Sequence, residues 1–100
     1  MRGILIGAMH KDGEFTDDNG NKLKYNNLVL ILQKPIEQVD SPDRLVQGVG
    51  FTTTEAKCPW NNLTDVFGGK IKDLKQIGEL VGSEVQYFYD DKKRLDTVIF

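Results

Sequence analysis

The chain has one cysteine, one histidine and one tryptophan, and no apolar run near the roughly 20 residues that a bilayer-spanning helix needs. A lone Cys58 closes no intramolecular disulfide, which points to a reducing compartment. The opening MRGILIGAMHKDG holds too short an apolar stretch, and no small-residue cleavage pattern, for a signal peptide. The expected location is therefore cytoplasmic, with no membrane partner, and the sequon Asn62-Leu63-Thr64 is incidental. Without CxxC or HxxxH spacing there is no zinc ligand set. Asp12, Glu14, Asp17, Asp18 and Asn19 lack the DxDxDG spacing of a calcium loop. Gly68-Gly69-Lys70 lacks the remainder of a phosphate-binding loop. His10 falls in an expected turn, and Cys58 has no histidine nearby in sequence to activate it. The expectation is a protein that is not an enzyme, with no metal and no cofactor.

What is present suits a single domain over residues 1–100. Lys and Arg total 13 against 15 Asp and Glu, a net charge of −2. A strongly basic domain would indicate nucleic acid, but the sum says little about a local basic groove. The densest basic cluster is Lys92-Lys93-Arg94, and Asp17-Asp18 is an acidic spot.

Only Asn61 to Gly82 reads as helical. Asp73 is a candidate N-cap with Gln76 in the capping-box position. Leu74, Ile77, Leu80 and Val81 form an apolar stripe, and Gly82 stands where a helix stops. A shorter turn, Leu63 to Phe67, is capped by Asn61 or Asn62 and ended by Gly68-Gly69. Gly78 weakens the longer helix, so it depends on packing against a sheet.

The rest reads as strands. Arg2 to Met9 is the first, and His10 to Gly13 is a turn or bulge. Asp17-Asp18-Asn19-Gly20 is a hairpin tip, with Asn-Gly favouring a type I′ turn. Asn21 to Gln33 returns, first alternating and then continuously apolar from Leu28 to Leu32, as a curved sheet requires. Lys34 to Asp43 reads as a loop. Arg44 to Thr54 resumes extended structure, with Val46, Val49 and Phe51 as core candidates. Glu55 to Trp60 leads into the helical region. Glu84 to Tyr89 alternates cleanly, and a turn at Asp90 to Lys93 leads to Leu95–Phe100. The order β-β-β-α-β-β predicts a mainly β fold with one or two short helices, arranged as a small five-stranded OB-like barrel. An open α+β sheet is the alternative.

Nine aromatic residues interleave with lysines. An OB barrel binds single strands by stacking bases on such rings while lysines follow the phosphates; the competing reading is that the rings are core. The pattern GEFTDDNGNKLKYNNLVLIL, then GVGF, DVFGG and LVGSEVQYFYDDKKRLDTVIF, resembles the small OB-type single-stranded-DNA-binding proteins of phages and conjugative elements. The resemblance implies sequence-tolerant binding of single-stranded DNA, in replication or transfer of a mobile element. It implies contacts at Tyr25, Phe51, Tyr87 and Lys24, with Lys22, Lys92, Lys93 and Arg94 as further phosphate contacts. The other functional expectation is an assembly module, a homo-oligomer such as a dimer, whose interface uses the same aromatics or the strand ending at Phe100.

Overall fold

A computed structural model describes residues 1–100. Seven strands carry most of the regular structure: β1 (Arg2–Thr16), β2 (Lys22–Pro35), β3 (Val39–Ser41), β4 (Arg44–Val46), β5 (Phe51–Pro59), β6 (Glu84–Tyr89) and β7 (Leu95–Ile99). Between β5 and β6 lie a 3-10 turn at Trp60–Asn62 and two short helices, α1 (Leu63–Val66) and α2 (Leu74–Gly78). Five strands form one antiparallel sheet in the order β5-β2-β1-β6-β7, and β3 and β4 form a separate two-stranded ribbon. No helix is long and apolar enough to cross a membrane.

The five main strands and the helical segment fall in the expected chain order. The sheet is not closed: β5 and β7 are its two edges and share no ladder. The sheet nevertheless curls, because Lys57 on β5 and Tyr89 on β6 line one cleft.

The core shows why these segments became strands. Leu28, Leu30 and Leu32 alternate along β2 and point to one face, together with Leu5, Ala56, Cys58, Val85, Tyr87, Leu95 and Val98. Leu63, Val66, Phe67, Ile71 and Ile77 cover that face from the helical segment. An irregularity between Leu5 and Gly7 shifts the register of β1, so that Leu5 and Ala8 both turn toward the core. There the backbone of Leu5 pairs with Gly82 and Ser83 just ahead of β6 (2.7 and 3.0 Å).

The capping prediction for α2 holds. The Gln76 amide donates to the Asp73 carboxylate at 2.8 Å, and the Gln76 side chain accepts from the Lys72 amide at 2.7 Å. The helix itself is shorter than its stripe. Ile77 is buried and Leu80 packs on the core, while Leu74 and Val81 stay exposed beside Gly78, where the helix stops. At α1 no side chain of Asn62 caps the helix.

Five expectations are corrected. His10 lies within β1 rather than in a turn. The segment 34–43 is not all loop, since it contains β3, and 44–54 is broken between β4 and β5. Val46, Val49 and Phe51 are exposed rather than core: Val46 and Val49 lie on a segment that leaves the sheet, and Phe51 opens the edge strand β5, opposite Pro35. At the β1–β2 tip only Gly20 is left-handed (φ 82°), so the loop is the three-residue kind with a bulge, not type I′.

Only 17 of 100 residues are buried, and the radius of gyration is 15.9 Å. About 13 Å is expected for a compact chain of this length. The excess comes from two arms that leave the body: the distal half of the β1–β2 hairpin and the segment from Ile36 to Phe51.

Candidate nucleic-acid interface

Register decides which side chains share a surface. On β1 and β2, Phe15 faces Leu23, Gly13 faces Tyr25, Lys11 faces Asn27 and Met9 faces Val29. Val29 in turn faces Lys57 on β5, and Ile31 faces Glu55. With side chains alternating along each strand, these rows form one continuous face, turned away from the core. At its distal end Phe15, Leu23 and Tyr25 are all exposed, and Tyr25 is 38% accessible. The Phe15 and Tyr25 ring centroids lie 6.3 Å apart with planes tilted by 37°.

Gly13 is part of this platform. A Cβ built there would lie 2.6 Å from the Tyr25 hydroxyl oxygen, so the ring lies across the bare glycine backbone. A side chain at Gly13 would lift the ring off the sheet.

Proximally, Lys57 pairs with Glu55 at 3.7 Å. Glu55, Lys57, Tyr89 and Lys93 line an open cleft of about 480 Å³ between the β5 edge and the β6–β7 tip. At that tip the Asp90 carboxylate accepts from the Lys92 and Arg94 amides, both at 2.9 Å, and from Arg94 Nε at 3.1 Å. The backbone hydrogen bond from Arg94 is the main reason that the Asp90 carboxyl sits below the usual carboxylate range. Lys93 is left-handed (φ 64°), the only residue other than glycine in that region.

The residues expected from sequence are dispersed. Tyr25 lies on the exposed face. Lys22 and Lys24 point to the opposite face of the same arm, where Lys24 faces Glu14, because neighbours on a strand diverge. Phe51 faces Pro35, ten residues along β2 from Tyr25 and thus roughly 33 Å away. It opens β5, where the chain returns from the other arm. Lys92, Lys93 and Arg94 gather at the β6–β7 tip, where the Arg94 guanidinium is already held by Asp90.

Tyr87 is corrected outright. It is 1% exposed, packed edge-on to Tyr89 (5.9 Å) within the core, and burial pushes its hydroxyl pKa up. The Val85-Tyr87-Tyr89 alternation was real, but this is the face that the core claims.

Sequence reading counts Phe15 and Trp60 among the rings near turns or strand ends without singling out Phe15 as a contact, and it missed Lys11 and Lys57 as members of the face. The Glu55-Ala56-Lys57-Cys58 alternation carried the signal for Lys57. Lys11 needed the register, because the irregularity at Leu5–Gly7 hides its parity. Trp60 is not a free platform either: His10 stacks on it at 3.7 Å with planes 9° apart, and the imidazole Nε2 is hydrogen-bonded to Asn26 Oδ1. Cys58 points into the core, and burial pushes its thiol up to about 11. The strand bearing Leu28 separates it from His10.

Phe100 packs edge-on against Phe67 at 6.0 Å, beneath the Lys70 ammonium. Comparison of the chain with protein-family models, with curated sequences and with solved structures gives no match.

Proposed function

We propose that this protein is a non-enzymatic binder of single-stranded nucleic acid, with single-stranded DNA as its ligand and the OB-like curl of its sheet as the scaffold. The observation that carries the reading is the exposed pair Phe15 and Tyr25 on one face of a projecting hairpin, with Lys11 next in line on that face. Bases stack on the rings, contributing about 1–3 kcal/mol each. Lys11, Lys57 and Lys93 accompany the phosphates from the arm toward the cleft at the β5 edge. The net charge of −2 does not oppose this, because stacking is indifferent to charge and the acids Asp12 and Glu14 point to the other side. This is the chemistry expected of the phage and mobile-element proteins that the sequence resembles.

Fluorescence anisotropy with labelled oligo-dT at low salt tests the reading. Binding that weakens as salt rises is expected. Replacing Phe15 and Tyr25 by Ala weakens it by roughly 5- to 150-fold for each base unstacked, the equivalent of 1–3 kcal/mol. Lys11→Ala and Lys57→Ala each flatten the salt dependence by about 0.7 in slope. No binding at tens of micromolar protein, or binding unaffected by both the ring and the lysine substitutions, overturns the proposal.

A further inference from the structure

The outer face that carries Phe15 and Tyr25 does not end at Lys57. Pairing of β2 with β5 continues it through Ile31 with Glu55 and Gln33 with Thr53 to Pro35 with Phe51. Past the irregularity in β1 the same side resumes with Ile4, which faces Gln33 on β2 and Glu84 on β6, and then with Arg2, which faces Gln86. The far end of the face therefore has a ring of its own. Phe51 is 62% exposed, more open than either ring at the near end.

Two recesses flank this ring, and Phe51 is the one residue common to both. On one side Arg2, Ile4, Gln33 and Pro35 enclose with it a pocket of about 280 Å³. On the other, Lys34, Arg44 and Thr52 border a groove of about 390 Å³. Each recess also holds one acid, Glu84 in the first and Glu37 in the second. Glu84 lies 3.9 Å from Arg2, which leaves Lys34 and Arg44 against the single charge of Glu37. An open ring with cations on both sides is what a stacked base and its neighbouring phosphates require.

The rows between the two ends carry Lys11, Lys57 and Glu55 as their only charged residues, and Glu55 is tied to Lys57 at 3.7 Å. Tyr25 and Phe51 stand ten residues apart along β2, roughly 33 Å. A base-stacked strand advances about 3.4 Å per nucleotide, so about ten nucleotides reach from one ring to the other. That length falls within the roughly 4–16 nucleotides that one OB fold occupies.

We propose that Phe51 is a second base-stacking subsite for the same single strand, with Arg2 on one side of the ring and Lys34 and Arg44 on the other as its phosphate contacts. This rests on the single-strand reading and adds a length requirement to it. A strand shorter than the span holds one patch, and a longer strand holds both. The second contact then forms at a high effective concentration, so the two patches act as one tighter site.

Fluorescence anisotropy with oligo-dT of about five and about fifteen nucleotides tests it. Phe51→Ala weakens binding of the long oligonucleotide by roughly 5- to 150-fold and leaves that of the short one, held at Phe15 and Tyr25, unchanged. Arg2→Ala flattens the salt dependence by about 0.7 in slope for the long oligonucleotide alone. Replacing Phe15 and Tyr25 by Ala weakens both lengths. The Phe51 ring is open to solvent, so far-UV circular dichroism of Phe51→Ala should match that of the wild type. Long-oligonucleotide binding that depends on Phe15 and Tyr25 but is indifferent to Phe51→Ala overturns this inference and leaves the single-strand reading standing. Equal weakening of both lengths by Phe51→Ala overturns it too, because Phe51 would then belong to the same patch as the other rings. Absence of binding at either length removes the single-strand reading, and this inference with it.

Discussion

The hairpins β1–β2 and β6–β7 close on the same frame. Each begins its tip with Asp-Asp, at Asp17 and Asp90, and in each the first aspartate accepts two backbone amides: Asn19 and Asn21 in one, Lys92 and Arg94 in the other. In each the fourth tip residue is left-handed and returns its amide to that aspartate's carbonyl at 3.0 Å, Gly20 to Asp17 and Lys93 to Asp90. The strands behind these tips meet different fates. β6–β7 buries Val85, Tyr87, Leu95 and Val98 along its length, whereas β1–β2 buries its base and leaves Phe15, Leu23 and Tyr25 open. A turn is thus specified by a few neighbouring residues, but the use of a strand depends on what the remainder of the chain lays against it.

The sharpest way to break this contrast is to truncate one tyrosine in each hairpin. Tyr87→Ala should lower stability by about 3–5 kcal/mol, as large-to-small changes of a buried aromatic do. Tyr25→Ala should change it by less than about 1 kcal/mol and act on oligonucleotide binding instead. Urea denaturation gives both numbers, and equal losses would mean that the distal arm is structural.

The left-handed positions come next. Gly20→Ala should destabilise by about 1 kcal/mol, the strain of a side chain at positive φ. Lys93→Gly should stabilise by roughly 0.5 kcal/mol, since relief of the same strain is partly offset by the greater freedom of glycine in the unfolded chain. A loss of stability on Lys93→Gly would show that the lysine makes a folded-state contact. A gain in stability together with weaker oligonucleotide binding would tie its retention to the ligand.

The smallest expected effect is electrostatic. A carboxyl whose pKa is lower in the folded chain adds stability above its unfolded value and loses it as pH falls through the folded one. The Asp90 frame, held by Arg94 and Lys92, should therefore persist at a pH near the ordinary aspartate value of about 3.9 and loosen only below it. Amide chemical shifts of Lys92 and Arg94 followed through an acid titration check this. A midpoint at or above the ordinary value would contradict the tip geometry.

Local grammar made part of the fold legible. The Asp73–Gln76 cap, the tip at Asp17–Gly20, the apolar run Leu28–Leu32 and the order of the main strands follow from neighbours in sequence. Val46, Val49 and Phe51 misled because apolar character in an extended stretch normally signals core, whereas Val46 and Val49 lie off the main sheet and Phe51 stands at the open start of its edge strand. Tyr87 misled for the converse reason: alternation shows that two faces exist without showing which one the helices cover. Lys24 and Tyr25 adjoin in sequence but diverge in space, so adjacency assembled a site that pleating takes apart.

The amino-acid order by itself determined the turns, the cap and the alternation, because these depend on hydrogen bonds and dihedral preferences within a few residues. Only the tertiary structure decided that Phe15, Tyr25, Lys11 and Lys57 share a face and that Ile36–Phe51 stands clear of the body. Register and curl are set by pairing between residues far apart along the chain, where a shift of one position exchanges the two faces of a strand.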